Sequence, residues 1–145
     1  MTETARSLLF SDLHVGIDFS FETRISSEEV DRFATITGDI SPLHMDSGFA
    51  RARGFRDRVV HGALQVGLVS RLIGVYLPGR DCLFQQCQMS FVSPVYPGQL
   101  LCVSGEVDQL SDATQTVVLK IRITADGKAC ARGKVHFGFT NTVND

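Results

Sequence analysis

Polar and apolar side chains alternate over Phe19–Ile25, the period of a strand with one face covered. The period then lengthens. Val30, Phe33, Ala34 and Thr37 recur at helical spacing and predict a helix over Ser27–Thr37. Ser26 and Glu29 stand where a capping box needs them, each side chain able to satisfy the other's free backbone N–H. Gly38 ends the helix plausibly, because glycine tolerates the left-handed conformation at that point. Gly38–Arg58 is irregular and turn-rich, with room for a short helix at Ser47–Arg53. A second helix spans His61–Tyr76, and its apolar residues nearly encircle the axis, which predicts burial on most sides. Pro78-Gly79 stops it.

Four strands follow, at Cys82–Val92, Gln99–Gln109, Thr114–Thr124 and Lys128–Phe139. Asp126-Gly127 marks a tight hairpin between the last two. In the third of them Val117, Leu119, Ile121 and Ile123 face one way, Lys120 and Arg122 the other. A helix this apolar needs a surface to lie on, and a curved antiparallel sheet wrapped round it supplies one. The layout is α+β with segregated helices.

Composition narrows the function. The chain has 145 residues, 43% of them hydrophobic and 21% charged, ordinary values for one globular domain. No repeat or linker divides it, so residues 1–145 read as a single domain, with 1–12 a flexible N-terminal segment. A formal net charge of -2 gives no reason to expect nucleic acid or an anionic membrane as partner. The longest apolar stretch, Ala63–Leu77, is interrupted by Gln65, Ser70 and Arg71 and is too short to cross a bilayer. Near the start only a short run around Leu8–Phe10 is apolar, too little for a secretory signal, so a cytoplasmic protein is expected. Cys82, Cys87, Cys102 and Cys130 then read as reduced thiols among strand residues. They form no C-x-x-C and stand at no metal spacing with a histidine; no metal or cofactor is expected.

Candidate chemistry concentrates in two places. Asp39 and His44 lie five residues apart on a turn that Pro42 stiffens, since proline fixes its own φ and pushes Ser41 away from helical geometry. A carboxylate and an imidazole held on one turn can share a water, which is the equipment of general acid–base catalysis. The same residue types also serve plain turn chemistry, Asp satisfying local backbone groups. Farther on, His61-Gly62 opens the apolar helix. The Gly62 N–H is one of the donors left free at a helix start, and without a Cβ a thioester carbonyl could approach it closely. Gly62 could equally be there only because the backbone is tight. His61 itself reads as structural, and His14 and His136 show no partner pattern. Between the two motifs lie Arg51, Arg53, Arg56 and Arg58, able to hold phosphate groups or an acidic partner, or simply to be solvated.

Gly38-Asp39-Ile40-Ser41-Pro42-Leu43-His44, Phe49-Ala50 and Val60-His61-Gly62-Ala63-Leu64 together resemble the (R)-specific enoyl-CoA hydratase, or MaoC-like dehydratase, family. The resemblance runs from about Leu13 to Phe139 and takes in Ser70–Gly74 and Phe91–Gly98. It implies a hot-dog fold, an antiparallel sheet wrapped around a buried helix. It also implies a homodimer with an acyl tunnel at the subunit interface, and an acyl-CoA or acyl carrier protein thioester as substrate. Asp39 and His44 become the catalytic pair, the Gly62 amide an oxyanion-hole donor, and Ser70 a buttress of the site. Ser41 departs from the asparagine usual in the family, which helps orient the catalytic turn. The implied reaction is hydration of trans-2-enoyl thioesters or the reverse dehydration. A non-catalytic acyl-binding protein is the alternative that the Ser41 departure supports. A hot-dog thioesterase fits less well, because Ala63–Leu77 carries no carboxylate.

Overall fold

The alternating segments pair into one five-stranded antiparallel sheet. In the computed structural model, which describes residues 3–140, the strands are β1 (Asp18–Thr23), β2 (Cys82–Phe91), β3 (Leu101–Ser111), β4 (Thr116–Ala125) and β5 (Lys128–Phe139). Their order across the sheet is β1-β3-β4-β5-β2. The β4–β5 hairpin turns at Asp126-Gly127, where both residues take positive φ (48° and 83°), the geometry that follows the right-handed twist of the flanking strands. Val117, Leu119, Ile121 and Ile123 of β4 are buried while Lys120 and Arg122 are exposed, as the alternation requires.

The helices are α1 (Ser27–Thr37), α2 (Pro42–Met45), α3 (Ser47–Ala52) and α4 (Gly62–Arg71), and α4 runs on as a π-helical segment over Leu72–Tyr76. The capping box of α1 forms with both bonds in place, Ser26 N to Glu29 Oε2 at 2.9 Å and Glu29 N to Ser26 Oγ at 3.1 Å. Val69, Leu72 and Ile73, all fully buried, lie against Val103, Leu119 and Phe137 of the sheet's inner face. Burial of each such side chain is worth about 1.5–3 kcal/mol. This is the hot-dog arrangement, a sheet wrapped round one helix.

Three features add to these expectations. The segment expected to be flexible makes contacts with the rest of the fold at several residues. Arg6 N donates to Val75 O at 2.8 Å, Leu8 N to Pro78 O at 3.1 Å, and the Phe10 ring meets Phe139 edge-on at 6.0 Å. Residues 1–2 lie outside the described range. The stretch read as irregular holds α2, one turn started by Pro42, whose fixed φ suits the first helical position. Finally, one chain covers α4 on one side only. Ala63, Gly67 and Ser70 are exposed, and the neighbouring edge strand β2 exposes Leu83, Phe84 and Phe91.

Candidate active site

The site begins where α1 ends. Gly38 adopts φ +77°, a left-handed value that a side-chain-bearing residue would resist, and turns the chain out of the helix. Asp39 follows. Its N–H donates to Thr37 Oγ1 at 3.2 Å, and its Oδ1 accepts the Ser41 N–H at 3.2 Å. The carboxylate is thus aimed by its own turn, with its side chain 46% exposed. Ser41 caps α2 without a side-chain hydrogen bond, so only its backbone contacts Asp39.

His44 sits on α2. Its Nδ1 lies 2.6 Å from the Val59 carbonyl oxygen. A carbonyl can only accept, so Nδ1 carries the hydrogen and Nε2 keeps the lone pair of the neutral ring. The second histidine, His61, is buried at 1% exposure. Its Nε2 lies 3.0 Å from the Asp39 carbonyl and 4.0 Å from Asp39 Oδ2, and its ring stacks on His44 at 3.9 Å. One donor atom from each of Asp39, His44 and His61 falls within 4.8 Å of the others. That distance alone would admit a metal ion. Yet His61 Nε2 and His44 Nδ1 are both committed as donors to carbonyls, and the unpaired His61 Nδ1 is buried, which leaves the Asp39 carboxylate and His44 Nε2 as the accessible groups. Two free groups on one turn suit a shared water better than a cation.

Gly62 opens α4 next to His61, which forms no side-chain cap there, so the first amides of the helix keep their donors. A Cβ at Gly62 would lie 3.2 Å from the Phe91 ring. A side chain there would press on the half-exposed Phe91 ring, which would have to give by a few tenths of an ångström.

The other residues singled out by sequence are scattered. Ser70 lies two turns along α4, on its exposed face. The arginines divide. Arg58, its side chain 13% exposed, is bound to Asp31 at 2.7 Å and to the Ser27 carbonyl at 3.1 Å, so it fastens α1 to the loop. Arg53 lies over the Phe49 ring and Arg56 over Tyr96, while Arg51 reaches Asp57 only at 3.9 Å. These three are exposed. Asp57 is held below the usual carboxylate range by the Ser47 hydroxyl first and then by the Arg58 N–H. His14 is exposed, and His136 stands on β5 opposite Val118. The four cysteines are unpaired, and burial pushes the Cys82 thiol up to about 12. A cleft of about 510 Å³ lined by Leu9, Phe10, Leu13, Asp112 and Phe139 includes none of the site residues. No helix among the described residues is long and apolar enough to cross a membrane.

Sequence reasoning took His61 as structural and gave neither His61 nor Phe91 a place beside the site. A buried polar residue beside a helix start was a usable signal for the first; the second depends on a strand 29 positions away from Gly62 and leaves no local trace.

Comparison with known proteins gives these residues a context. A family model described as a MaoC like domain matches residues 13–129. The 3-hydroxybutyryl-CoA dehydratase of Methylorubrum extorquens is 37% identical over 76% of this chain and 70% of its own length. The (R)-specific enoyl-CoA hydratase of Aeromonas caviae is 34% identical over 82% of this chain and 89% of its own. The solved (R)-hydratase from A. caviae superposes with a TM-score of 0.83 at 31% identity, covering 88% of this chain and 97% of that one.

Proposed function

Because the chain belongs to the MaoC-like dehydratase family, we propose that it is a hydro-lyase adding water to the double bond of trans-2-enoyl thioesters, or removing it from (R)-3-hydroxyacyl thioesters. One observation carries this reading. The Asp39 carboxylate and a ring nitrogen of His44 lie within 4.8 Å, close enough for one water to hydrogen-bond both, beside the uncapped start of α4 at Gly62.

In the hydration direction that water attacks Cβ. His44 Nε2 takes one of its protons as the C–O bond forms, while Asp39 holds the other hydrogen and offsets the charge on the imidazolium. The electron pair of the double bond moves through Cα to the thioester oxygen, which the Gly62 N–H receives. The proton on Nε2 then goes to Cα, so that OH and H have both been added and the enzyme is restored. Acid–base groups positioned this way contribute roughly 10²–10⁴-fold, and one oxyanion donor about 10²–10³-fold. No cofactor takes part.

CoA or acyl carrier protein thioesters would present phosphates to Arg51, Arg53 and Arg56, exposed between the two motifs. The working molecule is a homodimer, since the open face of α4 and the apolar edge of β2 are adjacent surfaces that a second copy would cover. The acyl tunnel then forms between the two copies. The test is turnover of crotonyl-CoA, read as loss of enoyl absorbance. Formation of (R)-3-hydroxybutyryl-CoA supports the reading; inertness on short, medium and long enoyl-CoA and on an enoyl carrier protein overturns it.

A further inference from the structure

We infer that His61 is a positioning residue of the active site, a hub that fixes the Asp39 turn, the His44 ring and the Gly62 amide relative to one another. The inference rests on the hydro-lyase reading for its kinetic consequence, but its geometry stands apart from any substrate.

An imidazole is an expensive choice for this position. At 1% exposure the ring is cut off from water, and its Nδ1 is buried without a hydrogen-bond partner among the described residues. A leucine or phenylalanine would fill the same space and leave no orphaned atom. What only a polar ring can do here is donate from Nε2, and the acceptor is the Asp39 main-chain carbonyl at 3.0 Å. The hydrogen must sit on Nε2, because two lone pairs would otherwise face each other.

That bond anchors the Asp39 end of the turn to another part of the fold, as the Val59 N–H to the Leu43 carbonyl at 3.1 Å anchors its far end. The other two bonds at Asp39, from its N–H to Thr37 and from Ser41 to its Oδ1, are both local, two residues away. They shape the turn without fixing where it sits. His61 ties it, across 22 residues of sequence, to the first residue of the α4 boundary. One face of the ring stacks on His44 at 3.9 Å and 27°, and Phe33 packs against it at 4.8 Å. The ring therefore backs the His44 imidazole while the Val59 carbonyl sets its rotation. Gly62 is the next residue along the chain, so a shift of His61 carries the oxyanion donor with it. A carboxylate and a base from one turn and an amide from the start of α4 meet around one side chain.

Three substitutions separate its parts. His61→Phe keeps the aromatic stack and removes the donor. His61→Gln removes the ring and keeps an amide N–H of similar reach. His61→Leu removes both. With crotonyl-CoA as substrate, His61→Phe should lower kcat by about 10²-fold, the cost of a small misplacement of reacting groups, with KM within twofold of wild type. His61→Gln should recover most of that loss, and His61→Leu should be at least as slow as His61→Phe. A second readout needs no turnover: nitrogen-resolved NMR of the wild-type protein should show a His61 Nε2–H resonance protected from exchange with water, and His61→Phe should shift the Asp39 carbonyl carbon signal. The proposal is overturned if that resonance is absent, if folded His61→Phe keeps wild-type kcat, or if folded His61→Gln is no faster than His61→Phe. Should the wild type be inert on every enoyl thioester, the hydro-lyase reading fails alone, and the two NMR signals decide the positioning role by themselves.

Discussion

Arg51, Arg53, Arg56 and Arg58 look alike in the sequence, and their surroundings divide them. Arg58 spends its fork on Asp31 and the Ser27 carbonyl and is nearly covered, so it holds the loop against α1. Asp31 is half exposed, which discounts the pair, and Arg58→Ala should cost about 1–2 kcal/mol of stability with kcat unchanged, as chemical denaturation and a steady-state assay would show. Neutralising Arg51, Arg53 and Arg56 together should instead raise KM for an enoyl-CoA while leaving kcat and Tm near wild type, the mark of lost binding common to ground and transition states. An unchanged KM at low salt would return these three to ordinary solvated loop residues. The closeness of Asp39 and His44 was readable from sequence because one stiffened turn carries both, whereas the placement of His61 depends on a carbonyl 22 residues away and Ser70 on which face of α4 is covered. Long-range geometry of that kind leaves no periodicity to find.

At the scale of elements, local chemistry decides what is legible. The capping box at Ser26 and Glu29, the left-handed Gly38 and the Asp126-Gly127 turn are set by a few neighbouring residues, and each stands in the fold where the sequence puts it. Strand limits drift by about two residues at β3 and β4, because pairing with neighbours rather than residue type sets where a ladder begins. The turn of helix at Pro42–Met45 is too short for any helical period to show, and the docking of residues 3–12 rests on backbone bonds to Val75 and Pro78 that no pattern announces. The cap also gives a direct measure of how much α1 depends on local terms. Ser26→Ala should lower stability by about 1 kcal/mol. Because α1 delivers Gly38 and Asp39, a fall in kcat larger than the fall in folded fraction at the assay temperature would reveal fraying of its far end as well. Melting curves with kcat measured on the same samples separate the two.

At the scale of the whole molecule, the apolar girth of α4 was legible in the sequence, and the side left uncovered was not. A helix apolar on nearly all sides asks for more cover than a few strands supply, and the five strands do cover one side of α4 and leave Ala63, Gly67 and Ser70 open beside the apolar edge of β2. Enclosure by a second copy reconciles the two. Phe84, 39% exposed on β2, sits on that edge, and Phe84→Asp should convert a dimer seen by sedimentation into monomer and lower activity in step; a wild type that sediments as monomer at micromolar concentration would contradict the assembly. The account as a whole turns on Asp39 and His44 acting as one unit upon a single water. The most direct test is a double-mutant cycle on crotonyl-CoA hydration with Asp39→Asn, His44→Ala and the pair, each checked for folding by circular dichroism. Each single variant should lose roughly 10²–10⁴-fold in kcat, and the double should lose little more than the worse single, since members of a catalytic unit are not additive. Folded single variants that keep most of the activity, or a double whose loss is the product of the two single losses, would contradict it.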